Sequence, residues 1–227
     1  MPRNCWICGE IADSAEHMVK ASDLRAIFGR FNNKAPVYRH SKATQNELVP
    51  GPKSDKVKFA PSLCQHCNNA RTQAHDKAWE KLSEQVRARH PALTTNSRLP
   101  LKEIFSSNVT NEMKNVHLFF VKLLGCYAVE YGVPLPIAHF GLCIRNEVVQ
   151  PNIELTFVHI QPKTSKYQIL VGNIDALNVG GKTVSAIWFY IVGTLGVLVS
   201  YKEPGHPRLN KFRGWHPSTI NPSICLK

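Results

Sequence analysis

Cys5-Trp6-Ile7-Cys8 and, far downstream, Cys64-Gln65-His66-Cys67 decide how this chain is read. Two residues between partners let a turn point both sulfurs inward, and two such pairs can wrap one Zn²⁺ tetrahedrally. Four protein ligands leave no position open for water, so the site would be structural. A redox pair is the competing use of the same spacing. The long gap between the pairs fits a compact module only if an insertion lies between them. Of the seven cysteines, Cys126, Cys143 and Cys225 have no partner pattern, and the first two read as buried small hydrophobes. The N-terminus, MPRNCWICGE, is polar, so no secretory signal and a cytoplasmic location are expected. In that setting paired Cys-x-x-Cys reads as metal binding before disulfides.

The chain has 227 residues, 43% of them apolar and 19% charged, which sets aside global disorder. Its 28 Lys and Arg against 16 Asp and Glu give a formal net charge of +12. A chain this basic attracts polyanions, nucleic acid first, because neutralised phosphates release condensed counterions. Val184 to Tyr201 carries no charge and is just long enough to raise a membrane span. Its β-branched and aromatic residues and the Gly193-Thr194-Leu195-Gly196 break read instead as two buried strands joined by a tight turn.

Around the cysteine pairs, residues 15–19 suggest a short strand. Ser22 or Asp23 is placed to cap a helix that runs through Phe28 and ends at Gly29. From Arg30 to Phe59 the chain carries Arg30, Lys34, Arg39, Lys42, Lys53, Lys56 and Lys58 against Glu47 and Asp55. With Pro36, Pro50, Gly51 and Pro52 this reads as a basic loop or arm, or as a solvated insertion. A helix should open at Cys67 or Asn68, bury Ala78, Trp79, Leu82 and Val86, and run to about Arg89, ended by Pro91. Met113, Val116, Phe120, Leu123, Leu124 and Tyr127 form the stripe of a second helix, stopped by Pro134 and Pro136. Gly141 to Val149, Ile153 to Gln161, Tyr167 to Val171 and Ala186 to Ser200 read as antiparallel strands. His117 reads as a core residue, and Trp188, Phe189 and Tyr190 as sheet core rather than a base-stacking platform.

Glu16-His17 follows the first cysteine pair closely, Asn68 follows Cys67 directly, and Arg71 lies three residues on. If the second pair opens a helix, the strand with Glu16-His17 can face its first turn across a small groove. This arrangement resembles the HNH endonuclease family, with its treble-clef ββα-metal module. That family reads roughly as Cys-x-x-Cys, Asp/Glu-His on a strand, a central Asn or His, then Cys-x-x-Cys-Asn-x-x-Lys/Arg opening a helix. The matching residues are Cys5, Cys8, Glu16, His17, Cys64, Cys67, Asn68 and Arg71, within about the first 90 residues. The central residue has no clear match, with Asn46 in the insertion a candidate.

The resemblance implies phosphodiester hydrolysis. His17 would be the general base, since imidazole titrates near neutral pH. Glu16 and Asn68 would offer hard oxygen ligands to one catalytic Mg²⁺ or Mn²⁺. Arg71 could pair with a phosphate, or be a solvated helix charge. His75 lies on the face of Asn68 but roughly 10 Å further along an ideal helix, too far to share one ion comfortably. It reads as a substrate contact or as a group supporting the site from behind, otherwise as solvated; Thr72, four residues after Asn68, is the better-placed helper and a further substrate contact. Asp76 could complete a ligand set or pair with a lysine. The fold expected is α+β. An N-terminal zinc-clamped ββα-metal (treble-clef) module, residues 1–90, precedes a helical, then antiparallel β region, residues 91–227. The latter would bind, sense or dimerise, through a second copy or a partner protein. The function expected is a metal-dependent DNA endonuclease, with RNA not set aside, of the kind used in restriction or phage defence. The alternative is a non-catalytic zinc module that binds nucleic acid.

Overall fold

A computed structural model of the chain describes residues 3–41, 43–90, 92–161, 169–219 and 222–227. The expected roles of Lys42, of Pro91 and of the strand start at 167 and 168 lie outside the described residues. The first cysteine pair sits on a turn closed by Cys5 N–H to Glu10 O (2.6 Å) and Gly9 N–H to Cys5 O (2.8 Å). Gly9 has φ +89°, a left-handed value that favours glycine. Residues 14–18 then run antiparallel to residues 57–63, through bridges Ser14 to Leu63 and His17 to Lys58. Phe59 N–H donates to Glu16 O, and Met18 N–H to Val57 O, each at 2.9 Å.

Between these two strand segments lie helix α1 (Ala21–Phe28) and a small hairpin, β1 (Val37–Arg39) with β2 (Glu47–Val49). Gly29 ends α1 at φ +67°, as expected. The expected caps are corrected: α1 has no side-chain cap. Asp23 is instead fully buried, where it accepts from Trp79 Nε1 (2.8 Å), Ser83 Oγ (3.0 Å), Arg87 (2.8 Å) and Tyr190 OH (3.1 Å). A buried carboxylate with that many donors is more stable there than at a solvated helix end.

The second cysteine pair opens a helix, but not a regular one. His66–Arg71 is a π-helical turn, and α2 (Gln73–Ala88) continues from it. Ala78, Trp79, Leu82 and Val86 are buried. They face the helical region that follows β3 (Arg98–Pro100) and the single turn α3 (Leu101–Ile104). Its long member is α4 (Val109–Tyr131), which buries the expected stripe and ends at Gly132 in the left-handed conformation. The expected strand Gly141 to Val149 is corrected: α5 (Ile137–Arg145) takes the first part of it. Ile137, Phe140, Gly141 and Ile144 recur at helical spacing, and a short apolar run alone does not distinguish the two periods.

Two glycines bring these helices onto the cysteine turn. A Cβ at Gly141 would lie 2.8 Å from Trp6 O, and one at Gly125 would lie 2.6 Å from the Trp6 ring. Gly125→Ala should therefore force α4 away from Trp6 and destabilise the protein by about 1–3 kcal/mol, the usual cost of overpacking. Urea unfolding of the variant measures this, and an unchanged midpoint would rule the tight contact out.

From Ile153 onward the chain builds a five-stranded antiparallel sheet: β4 (Ile153–His159), β5 (Ile169–Val171), β6 (Asp175–Val179), β7 (Lys182–Val192) and β8 (Leu195–Lys202). The order is β4-β8-β7-β5, with β6 also pairing β7. Val192 pairs Leu195 across Gly193-Thr194, with Gly193 at φ +61°, so the uncharged run is two strands and a tight turn. Trp188 and Tyr190 are buried while Phe189 points outward. The Tyr190 ring lies 5.7 Å from Trp79 and 5.8 Å from Phe120, so helices α2 and α4 pack on the sheet's inner face. A last strand, β9 (Ser223–Cys225), pairs with β3. The core is continuous from Cys5 and Leu63 through Trp79 and Phe119 to Trp188, across residue 90. No helix among the described residues is long and apolar enough to cross a membrane.

Candidate functional site

The sulfurs of Cys5, Cys8, Cys64 and Cys67 all lie within 4.8 Å of one another, with Cys8 and Cys64 3.6 Å apart. A tetrahedral zinc–thiolate site with bonds near 2.3 Å needs sulfurs about 3.8 Å apart, so this donor set fits zinc. All four cysteines are free, and all but Cys8 are buried. Cys67 N–H points at Cys64 Sγ (3.4 Å), a contact that favours a thiolate. Burial pushes the Cys67 thiol well up, and only a cation at the centre would bring the four to the thiolate form together. Among the described residues this is the one group of three or more Cys, His, Asp or Glu placed to hold a metal ion.

Beside this cluster the strand carrying Glu16-His17 faces the helix opening. Asn68 Nδ2 donates to Ser14 Oγ (2.9 Å), tying the π-helical turn to that strand. Asn68 Oδ1 is buried and has no partner, as have His17 Nε2 and one Arg71 Nη. Burial holds the His17 pKa below the usual histidine range; Glu16 opposes this, and Lys58 and Lys20 reinforce it. His17 is thus a neutral imidazole at neutral pH, the form a general base requires.

Glu16 is not the open ligand that the resemblance implies. Its Oε2 lies 2.6 Å from Lys122 Nζ, and its Oε1 accepts the His17 N–H at 2.9 Å. Lys122 comes from α4 and is completely buried. Its ammonium also meets Asp76 Oδ1 (2.8 Å) and Thr72 Oγ1 (3.3 Å). Asp76 in turn meets Lys20 (3.1 Å), so of its two readings the lysine pair is the one present. Burial alone would lower the Lys122 pKa, but Glu16 and Asp76 more than reverse this and hold it above the lysine range. Nothing near Glu16 in the sequence signals Lys122. Its only signal is a lone charge inside the apolar run Val116 to Cys126.

Thr72 and His75 are corrected as substrate contacts. They are 0% and 1% exposed, out of reach of a polymer. The π-helical turn is the reason for Thr72, since its extra residue shifts the helix phase. Thr72 Oγ1 donates to Cys67 O (2.9 Å), five residues back, and faces Lys122 rather than outward. Burial first, then Lys122, lowers the His75 pKa to about 4. Asn46 sits exposed after the hairpin turn with φ +54°, and its N–H points to His40 (3.3 Å). No protein-family model, no curated protein and no solved structure matches the chain.

Proposed function

We propose that this protein is a metal-dependent endonuclease of the HNH type, acting on DNA with His17 as general base. The observation that carries the reading is the His17 imidazole, whose buried Nε2 has no partner, on a strand joined through Ser14 Oγ to the Asn68 amide, whose oxygen is likewise unpartnered. The cysteine turn, the two antiparallel strand segments and the helix opened by Cys64-x-x-Cys67 follow the order of a treble-clef ββα module. In this reading the zinc cluster holds that frame rigid. His17 takes the proton of a water that attacks the phosphorus, the bond to the 3′-oxygen breaks, and that oxygen leaves to be protonated from solvent as the 3′-hydroxyl. One Arg71 Nη is buried without a partner, so Arg71 must turn outward to pair with a phosphate oxygen. The products would be a 5′-phosphate and a 3′-hydroxyl, as the resemblance implies.

The donors fit a catalytic Mg²⁺ or Mn²⁺ only in part. Asn68 Oδ1 has no partner but is buried, whereas Glu16 is committed to Lys122 and would have to leave it to bind an ion. That commitment favours the second reading, a zinc module that binds nucleic acid without cutting it.

Nicking of supercoiled plasmid separates the two. Wild type should nick with Mg²⁺ or Mn²⁺ and not with a chelator. His17→Ala, with its zinc intact, should lose about 10²–10⁴-fold. Because burial depresses the His17 pKa, the acid limb of the wild-type rate should fall below pH 6.5, the group's ordinary value. Plasmid binding without metal-dependent nicking by either folded protein would leave the binding module.

A further inference from the structure

The stretch that interrupts the module has a composition and geometry that the zinc frame does not need. Strands β1 and β2 pair Val37 with Val49, Tyr38 with Leu48, and Arg39 with Glu47. Val37, Arg39, Glu47 and Val49 turn toward the protein, and Val49 is buried. Tyr38 and Leu48, directly opposite each other, are 51% and 42% exposed. The acidic groups of this stretch are already used. Glu47 pairs with Lys56 (2.7 Å) and Arg39 (3.7 Å), and Asp55 with Lys58 (2.9 Å). Arg30, Lys34 and Lys53 are exposed, and among the described residues none has a carboxylate partner. The arm thus carries uncompensated positive charge in the same stretch of chain as an outward aromatic and aliphatic pair. Its return limb is rooted at the site, since Lys58 bridges to His17 and Val57 O accepts the Met18 N–H.

We infer that this hairpin arm is a docking element for duplex DNA that delivers the backbone to His17, an inference that rests on the nuclease reading above. The charge complementarity points to a polyphosphate, and a two-stranded β-ribbon is narrow enough to enter a major groove. Arg30, Lys34 and Lys53 contact phosphates. Tyr38 and Leu48 pack against sugars and base edges, where a thymine methyl is the natural apolar partner.

The test is fluorescence anisotropy of a short labelled duplex in chelator, with His17→Ala as parent so that no cleavage interferes. Arg30→Gln, Lys34→Gln and Lys53→Gln together should weaken binding about tenfold or more at moderate salt. They should also reduce the salt slope by about 0.9 for each phosphate that is no longer neutralised. Tyr38→Ala with Leu48→Ala should weaken binding several-fold at an unchanged slope. Zinc content and melting temperature equal to the parent's show that each variant is folded, since every substitution is at an exposed position. If the parent binds duplex and the arm variants match it in affinity and slope, the arm inference fails and the nuclease reading stands. If the parent binds no duplex, both fall. Tighter binding of single-stranded DNA or RNA than of duplex would overturn the choice of partner.

Discussion

Cys67→Ser is expected to leave the chain unable to hold a zinc ion and largely without its fold. Cys67 is fully buried at the junction of the second cysteine pair and the π-helical turn that leads into α2. Structural zinc contributes about 10–16 kcal/mol of apparent binding free energy in small zinc-dependent peptides. A whole domain is stable by only about 5–15 kcal/mol. Losing one of four thiolates removes most of the first quantity and therefore threatens all of the second. Metal analysis should find one zinc per wild-type chain and far less in the variant. Near-ultraviolet circular dichroism should lose its tertiary signal. Cys225→Ser, outside the cluster, is the control and should keep both. A Cys67→Ser protein that melts within a few degrees of wild type would sink the structural role of the cluster.

Lys122→Met should have the next largest effect. It keeps the volume and helix propensity of the side chain but removes the ammonium from between two carboxylates. Glu16 would stay buried with no counter-charge, and Asp76 would keep only Lys20. Breaking a buried pair from one side costs about 3–5 kcal/mol, because the desolvated charge remains. Adding Glu16→Gln to the variant should recover a good part of that loss, as two neutral partners carry no such penalty. The pH dependence is also defined. For Asp76, burial alone would raise the pKa, but Lys122 and Lys20 reverse this and hold it below the carboxylate range. Its contribution is therefore present above about 3.9, the unfolded value, and is lost as pH falls through the folded one. Lys122 lies above its ordinary range, so its contribution is complete below about 10.4 and is lost as pH rises through the folded value. The gap between wild type and variant should be constant across neutral pH and close in acid. A gap that persists unchanged once the carboxylates are protonated would mean that the lysine acts through packing alone.

The cysteine spacing, the stripes of α2 and α4 and the break at Gly193 were legible because each is a local pattern with its own period or turn chemistry. The α5 helix was not, since Gly141 to Val149 is short and apolar, and its helical form is tied to close packing on the Trp6 turn. Asp23 was misread as a cap because its four donors arrive from Trp79, Ser83, Arg87 and Tyr190, on elements remote in sequence. Beside the cysteines, the facing of the Glu16-His17 strand and the helix opening at Asn68 was readable from spacing. The engagement of Glu16 was not, because its partner is a single lysine more than a hundred residues later. Nor was the inward turn of Thr72, since one extra residue in a helical turn leaves no mark on composition.

The position of Lys122 along the chain also bears on how the protein is made. All four cysteines, Glu16 and Asp76 leave the ribosome before α4 does, and synthesis proceeds at about 5–20 residues per second. The clamp joining Cys8 to Cys64, 56 positions apart, can close over its metal while the ammonium that will sit between the carboxylates is still being added. If the cysteines take up a zinc at that stage, Glu16 and Asp76 stand without the Lys122 ammonium for some seconds at that rate of synthesis. Emergence of α4 ends that interval: the helix arrives with its own counter-ion built in and seals the pair from solvent.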